Sequence, residues 1–224
     1  MKSYLFFILV FIFSITSFSN LFAGELMTSV INKDFDAVKK LIAAGADVNE
    51  KDAQYGSIPV MMAASYEGYE DMVKLLLENG ADPNIQDKTY GTTALIAGAS
   101  ISKEMVEMIL KHGGDINKKK FDGTGAFTSA VTGILMDRIK TDVLELLLEN
   151  GSDINETVTS GKAEGYTCLM MAARNNAPEL VKFLVMHKAD INAKAKDGST
   201  ALSLAKKEKD ENMIKLLIEL GAKE

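Results

Sequence analysis

The sequence predicts an all-α chain, a solenoid built from repeated helix–turn–helix units. Three observations carry that reading. A small triplet recurs along the chain, a second series of glycines runs in step with it, and an aliphatic helical pattern precedes every copy of the triplet. Repeats of this spacing are a sign of stacked architectures rather than of one globular core. The 224 residues are 47% apolar and 25% charged, which is ordinary folded material and excludes wholesale disorder.

The triplets are Gly45-Ala46-Asp47, Gly80-Ala81-Asp82, Gly113-Gly114-Asp115 and Gly151-Ser152-Asp153, with Lys188-Ala189-Asp190 and Gly221-Ala222-Lys223 each carrying one substitution. They recur every 33 to 38 residues. Asn49, Asn84, Asn117, Asn155 and Asn192 each follow the acid by two places, and Gly56, Gly91, Gly123, Gly165 and Gly198 open the next unit.

Each unit reads as two helices. Seven places before each triplet stands Val38, Val73, Val106, Leu144, Val181 or Ile214, followed at i+3 and i+4 by pairs such as Leu41-Ile42 and Leu76-Leu77. That spacing lays an apolar stripe along one helical face. The triplet glycine then ends the helix, because a left-handed cap suits a residue without Cβ. Upstream lies a shorter helix, as in Ile58–Ala64 and Thr167–Ala173. Thr93, Thr167 and Thr200 are expected N-caps, and Pro59 fits a first turn where its missing N–H is no loss.

This combination resembles the ankyrin repeat, whose pattern runs Gly-x-Thr-Pro-Leu-His-x-Ala-Ala, a Val-x-x-Leu-Leu helix, then Gly-Ala-Asp-x-Asn. The resemblance covers residues 24–224 and implies an ankyrin-repeat solenoid in which β-hairpin-like loops project at one edge. Six units are expected, at 24–52, 53–88, 89–120, 121–160, 161–196 and 197–224, the first and last acting as caps so that no repeat is missing. The charged run Lys206–Glu211 is placed between the helices of the last unit. The family's bridging His is replaced by Met61, Ile96, Thr128, Met170 or Ser203, and its Pro survives only as Pro59. Weaker hydrogen-bonded stiffening between units follows from that departure. Extra residues around Gly133–Lys140 and an enlarged loop at Glu156–Glu164 make the array irregular.

Residues 1–23 read as a signal peptide: Lys2, an unbroken apolar run from Tyr4 to Phe13, then small residues toward Ala23. Cleavage after Ser19 is an alternative to cleavage after Ala23. An uncleaved membrane anchor is the competing reading, since the uncharged stretch can just span a bilayer. The leader and the preference for Lys over Arg point to an exported, bacterial, periplasmic protein.

A net charge of −6 argues against phosphate-driven binding of nucleic acid. One Cys excludes a disulfide framework, and His112 and His187 occupy matching cap positions in different units, too far apart to share a metal. Gly123-Thr124-Gly125 is too short for a dinucleotide fingerprint, Cys168 sits in a helix-start slot, and the recurring acids fall one per turn. No catalytic, cofactor or metal residues are therefore assigned.

The resemblance instead implies a binding scaffold that presents loop tips and the exposed side of the first helices to another protein. On this chain that surface supplies Tyr55, Tyr66, Tyr90, Phe121, Tyr166 and Arg174, residue types that dominate interface energetics. A monomeric, non-catalytic protein binder is the expectation. A membrane-anchored scaffold and a secreted effector directed at a host protein are the alternatives.

Overall fold

The computed structural model describes residues 24–223. The expected leader, residues 1–23, lies outside them. Among the described residues there are twelve α-helices in pairs: α1 (Glu25–Ile31) and α2 (Phe35–Ala43), α3 (Pro59–Ala64) and α4 (Glu70–Glu78), α5 (Ala94–Gly98) and α6 (Lys103–Lys111), α7 (Ala126–Leu135) and α8 (Asp142–Glu149), α9 (Cys168–Arg174) and α10 (Pro178–Met186), α11 (Ala201–Glu208) and α12 (Glu211–Glu219). The odd-numbered, inner helices pack on one another in sequence, and so do α4, α6 and α8 of the outer set. The sole sheet-like pairing described is an isolated antiparallel bridge between Thr157 and Thr167, inside the enlarged loop. The fold is the expected all-α ankyrin solenoid.

Local chemistry explains the helix ends. Thr93, Thr167 and Thr200 accept from the amides of Ile96, Met170 and Ser203, while Pro59 occupies the first turn of α3. The triplet glycines take left-handed φ, from 85° at Gly113 to 101° at Gly221. Lys188 holds the same conformation at φ 70°, where a Cβ is strained.

The core is a continuous apolar ribbon between inner and outer helices. Val38, Val73, Val106, Leu144 and Val181 are all fully buried, as are Leu76, Ile109, Leu147 and Leu184. These are the aliphatic columns expected from the sequence. Burial of each such side chain contributes on the order of 1.5–3 kcal/mol. The Ala63-Ala64 and Ala172-Ala173 pairs are buried as well, allowing inner helices to approach closely.

Two expectations need correction. Hydrogen-bonded ties between units are present in quantity, made at the triplet turns and along the loop backbone rather than at the vacant His slots. Asn49 donates to Gly80 O at 3.1 Å and accepts from the Asp82 amide at 2.7 Å, and Asn84 repeats this with Gly113 O and the Asp115 amide. Asn155 and Asn192 accept in the same way from the amides of Asp190 and Lys223. At the loop edge the amides of Lys88, Phe121, Thr159 and Lys196 donate to the carbonyls of Tyr55, Tyr90, Asp122 and Glu164 of the preceding loop. The second correction concerns the last unit: Lys206, Lys207 and Glu208 belong to the final turn of α11, and only Lys209 and Asp210 lie between the helices. Helical propensity and the solvent-facing side of that turn accommodate the charges.

Candidate functional site

The loops between units are short hairpins held by a carboxylate. Asp52 accepts from the amides of Gln54, Tyr55 and Ser57, and Asp87 from those of Thr89, Tyr90 and Thr92 at 2.6–2.8 Å. Asp122 accepts from the Thr124 amide and hydroxyl, and Asp197 from the Ser199 amide. Partial burial opposes ionisation of Asp52, Asp87 and Asp122, but these donors outweigh it and hold the carboxyls below the usual range. The Asp197 carboxyl is lowered first by the Ser199 backbone hydrogen bond. These acids were not singled out from sequence, although Asp52 and Asp87 each stand four places before a unit-opening glycine and Asp122 and Asp197 directly before one.

Rigid hairpins fix the direction of their tip residues. Tyr55, Tyr90 and Phe121 are 48%, 67% and 64% exposed, large aromatic surfaces with little core to cover. They step along the stack through the inter-loop hydrogen bonds described above. The Phe121 ring lies over Gly91, where an added Cβ would meet it at 2.8 Å. Below the tips, Tyr55, Met61, Met62, Ser65, Tyr90 and Thr92 line a groove of about 250 Å³ between the loops and α3. A larger depression, about 710 Å³, lies between α1 and α2 at the end of the stack, lined by Glu25, Thr28, Ser29, Ala37, Lys40 and Leu41.

The remaining expected contact residues separate. Tyr66 follows α3 at the end away from the tips, its ring centroid 5.4 Å from that of Tyr69. Arg174 closes α9 at the corresponding end and lies 3.8 Å from Glu208. Tyr166 is half-buried at the base of the enlarged loop, where its carbonyl accepts from the Val158 amide. The structure thus gathers Tyr55, Tyr90 and Phe121 at the loop edge and places Tyr66 and Arg174 on the opposite one.

The residues examined for chemistry have local roles. The Nδ1 atoms of His112 and His187 lie 2.8 and 2.9 Å from the carbonyls of Met108 and Phe183, the same i−4 contact that Asn79 and Asn150 make. Asp47, Asp82, Asp115, Asp153 and Asp190 each accept from the amide two residues on, as expected of turn acids. Burial pushes the Cys168 thiol up to about 12, so it is not poised as a nucleophile. Among the described residues no group of three or more His, Cys, Asp or Glu is arranged to hold a metal, and no helix is long and apolar enough to cross a membrane.

Glu156 is a further residue that sequence reasoning missed. It is 5% exposed, pairs with Lys119, and accepts from the Thr128 hydroxyl and from the amides of Gly125 and Thr128 at the start of α7. The Thr128 hydroxyl in turn lies 3.5 Å from Cys168 Sγ. Thr128 stands in one of the vacant His slots, so a cross-unit contact returns there through a different partner.

The family profile for ankyrin repeats (3 copies) matches residues 26–120 and 135–224. The chain belongs to the ankyrin-repeat family, a class that generally mediates protein–protein interaction and is typically non-catalytic. The unmatched stretch between the two segments holds Phe121, Thr128 and most of α7. No curated protein matches the chain.

Proposed function

We propose that this protein is a monomeric, non-catalytic scaffold that binds a partner protein through the loop tips and groove of its second, third and fourth units. The observation that carries the reading is the aromatic row Tyr55, Tyr90 and Phe121, more exposed than apolar rings ordinarily are and fixed by backbone hydrogen bonds between successive loops. Rigid aromatic side chains beside a small apolar groove supply contact area with little ordering entropy to lose on binding. Residues 1–23 act as a cleaved export signal in this reading, with the array working in the periplasm.

Crosslinking pull-down from the native compartment, with the captured protein identified by mass, tests the binding surface. The Tyr90→Ala, Phe121→Ala double variant is expected to lose capture while keeping the native melting curve; undiminished capture rejects this surface. The mass of the purified protein and its distribution between membrane, periplasm and medium test the export reading. A chain that retains residues 1–23 in the membrane fraction supports the anchored alternative.

A further inference from the structure

The groove beneath the tips is small and neutral. At about 250 Å³ it falls below the roughly 300–1,000 Å³ of sites that enclose a whole small-molecule ligand, so it takes one or two side chains of a longer segment. Its floor, Met61, Met62 and Ser65, comes from the end of α3, a helix with no charged residue. Helices α5 and α7 of the next two units hold none either, and α9 has none before Arg174 at its last position. The charged residue in the lining, Asp87, is 5% exposed and already bonded to three amides of its own loop. Lys88 is turned onto the Ala53 carbonyl and Lys119 onto Glu156, while Glu50, Lys51 and Lys118 stand outside the lining. A charged side chain brought into this groove would be buried without a partner.

The hydrogen-bonding groups left over are donors. Gln54 Nε2 donates to the Tyr55 hydroxyl at 2.6 Å, which leaves the phenolic proton of Tyr55 available to another acceptor. Tyr90, 67% exposed, brings a second phenol. The Tyr55 and Tyr90 carbonyls are taken by the amides of Lys88 and Phe121, so the loop backbone offers little to a peptide N–H. A segment matched to this wall presents carbonyls, few N–H groups and no charge. The wall also has a period. Successive units stack about 10 Å apart, with one ring per step at Tyr55, Tyr90 and Phe121. A polyproline II helix rises about 3.1 Å per residue with three residues per turn, about 9 Å in all, so every third residue returns to the same face at nearly that step. An α-helix matches the step only through every seventh residue and keeps its carbonyls to itself, leaving the phenols unanswered.

We propose that the groove and the aromatic row receive an uncharged, proline-rich segment of the partner in the polyproline II conformation, one turn per unit from the second to the fourth, with its carbonyls on the Tyr55 and Tyr90 hydroxyls. The inference deepens the scaffold reading and rests on it, since it gives the partner's contact segment a composition and a conformation. Such a segment is ordered before it binds and loses little entropy on docking.

The test titrates a fluorescein-labelled decaproline peptide with the full chain by anisotropy, using oligoglutamate, oligolysine and a leucine-rich helical peptide as comparison probes. Saturable decaproline binding is expected, changing less than about twofold between about 0.01 M and about 0.15 M salt because no ion pair forms. The Tyr55→Ala, Tyr90→Ala variant is expected to weaken it at least about tenfold, a change of about 1.4 kcal/mol. The Tyr55→Phe, Tyr90→Phe variant keeps the rings and removes the donors. A loss of at least about threefold is expected there, and this variant decides the matter if the alanine variant fails to fold. Absent decaproline binding, unchanged binding by either variant, or tighter binding of the helical peptide overturns the proposal. In the pull-down, capture that needs Tyr90 and Phe121 but ignores both the phenylalanine variant and excess decaproline refutes the proline-rich segment and leaves the scaffold reading intact. Capture indifferent to every aromatic variant refutes both.

Discussion

Removing the Glu156 carboxylate is the sharpest available test of how the array is held together. The side chain is 3% exposed and its carboxylate serves Lys119, the Thr128 hydroxyl, and the amides of Gly125 and Thr128 at 3.2 and 2.6 Å. In Glu156→Ala, two helix-start amides and a hydroxyl lose their acceptor in the interior. Orphaned buried polar groups cost about 1–3 kcal/mol each, and breaking a buried ion pair from one side costs about 3–5 kcal/mol. Lys119 is 36% exposed and can rehydrate, which puts the net loss near the lower end, about 3 kcal/mol. For a chain of this size each kcal/mol moves Tm by about 2–4 °C, so a drop of about 6–12 °C is expected. Thermal unfolding followed by circular dichroism reads it directly. Glu156→Gln should fall between the two, since its amide oxygen can still accept from Thr128 while its NH2 group meets Lys119. A Glu156→Ala protein melting within about 1 °C of the native one would show that water replaces the carboxylate and that the tie contributes nothing net.

Four further outcomes follow from the same geometry. Asn84→Ala removes both the donor to Gly113 O and the acceptor for the Asp115 amide, and is expected to lower stability by about 1–2 kcal/mol in urea unfolding. Lys188→Gly relieves a left-handed φ of 70° and should raise stability by about 1 kcal/mol in the same assay; a loss there would mean that the strain is absent. The Asp52, Asp87 and Asp122 carboxyls titrate lower in the folded loops than in the unfolded chain. Their contribution is therefore complete above about pH 4 and disappears as pH falls through the folded values, so Tm should drop in acid, and Asp87→Asn should flatten that slope. Cys168, with its buried thiol raised to about 12, should resist alkylation at neutral pH in the native protein and react once urea unfolds it.

Periodic information was readable before any coordinates. The aliphatic columns from Val38 to Val181 became the core, and Thr93, Thr167 and Thr200 became caps, because burial and capping act over three or four residues and leave a local imprint. The exposed places of Tyr55 and Tyr90 were also legible, since each directly precedes a unit-opening glycine at a loop tip, whereas Tyr166, directly after one, is half-buried. The division of Tyr66 and Arg174 from that row was not: which end of an inner helix a residue occupies follows from helix length, and α3 has six residues where α7 has ten. Glu156 was invisible for a different reason. Its partners lie 28 to 37 positions away, and nothing in the local pattern distinguishes a loop acid facing water from one folded beneath a neighbouring helix.

The Asp52 and Asp87 loops satisfy equivalent amides, and each offers the carbonyl before its glycine to the amide of the following loop. A copy of residues 53–88 spliced in after Lys88 would meet the same acceptors on both sides. The amino-terminal half can therefore lengthen by duplication, and its recognition surface with it. A unit inserted between Thr128 and Glu156 would instead separate the carboxylate from Lys119, Gly125 and Thr128, which makes that junction the fixed anchor around which the number of units can change.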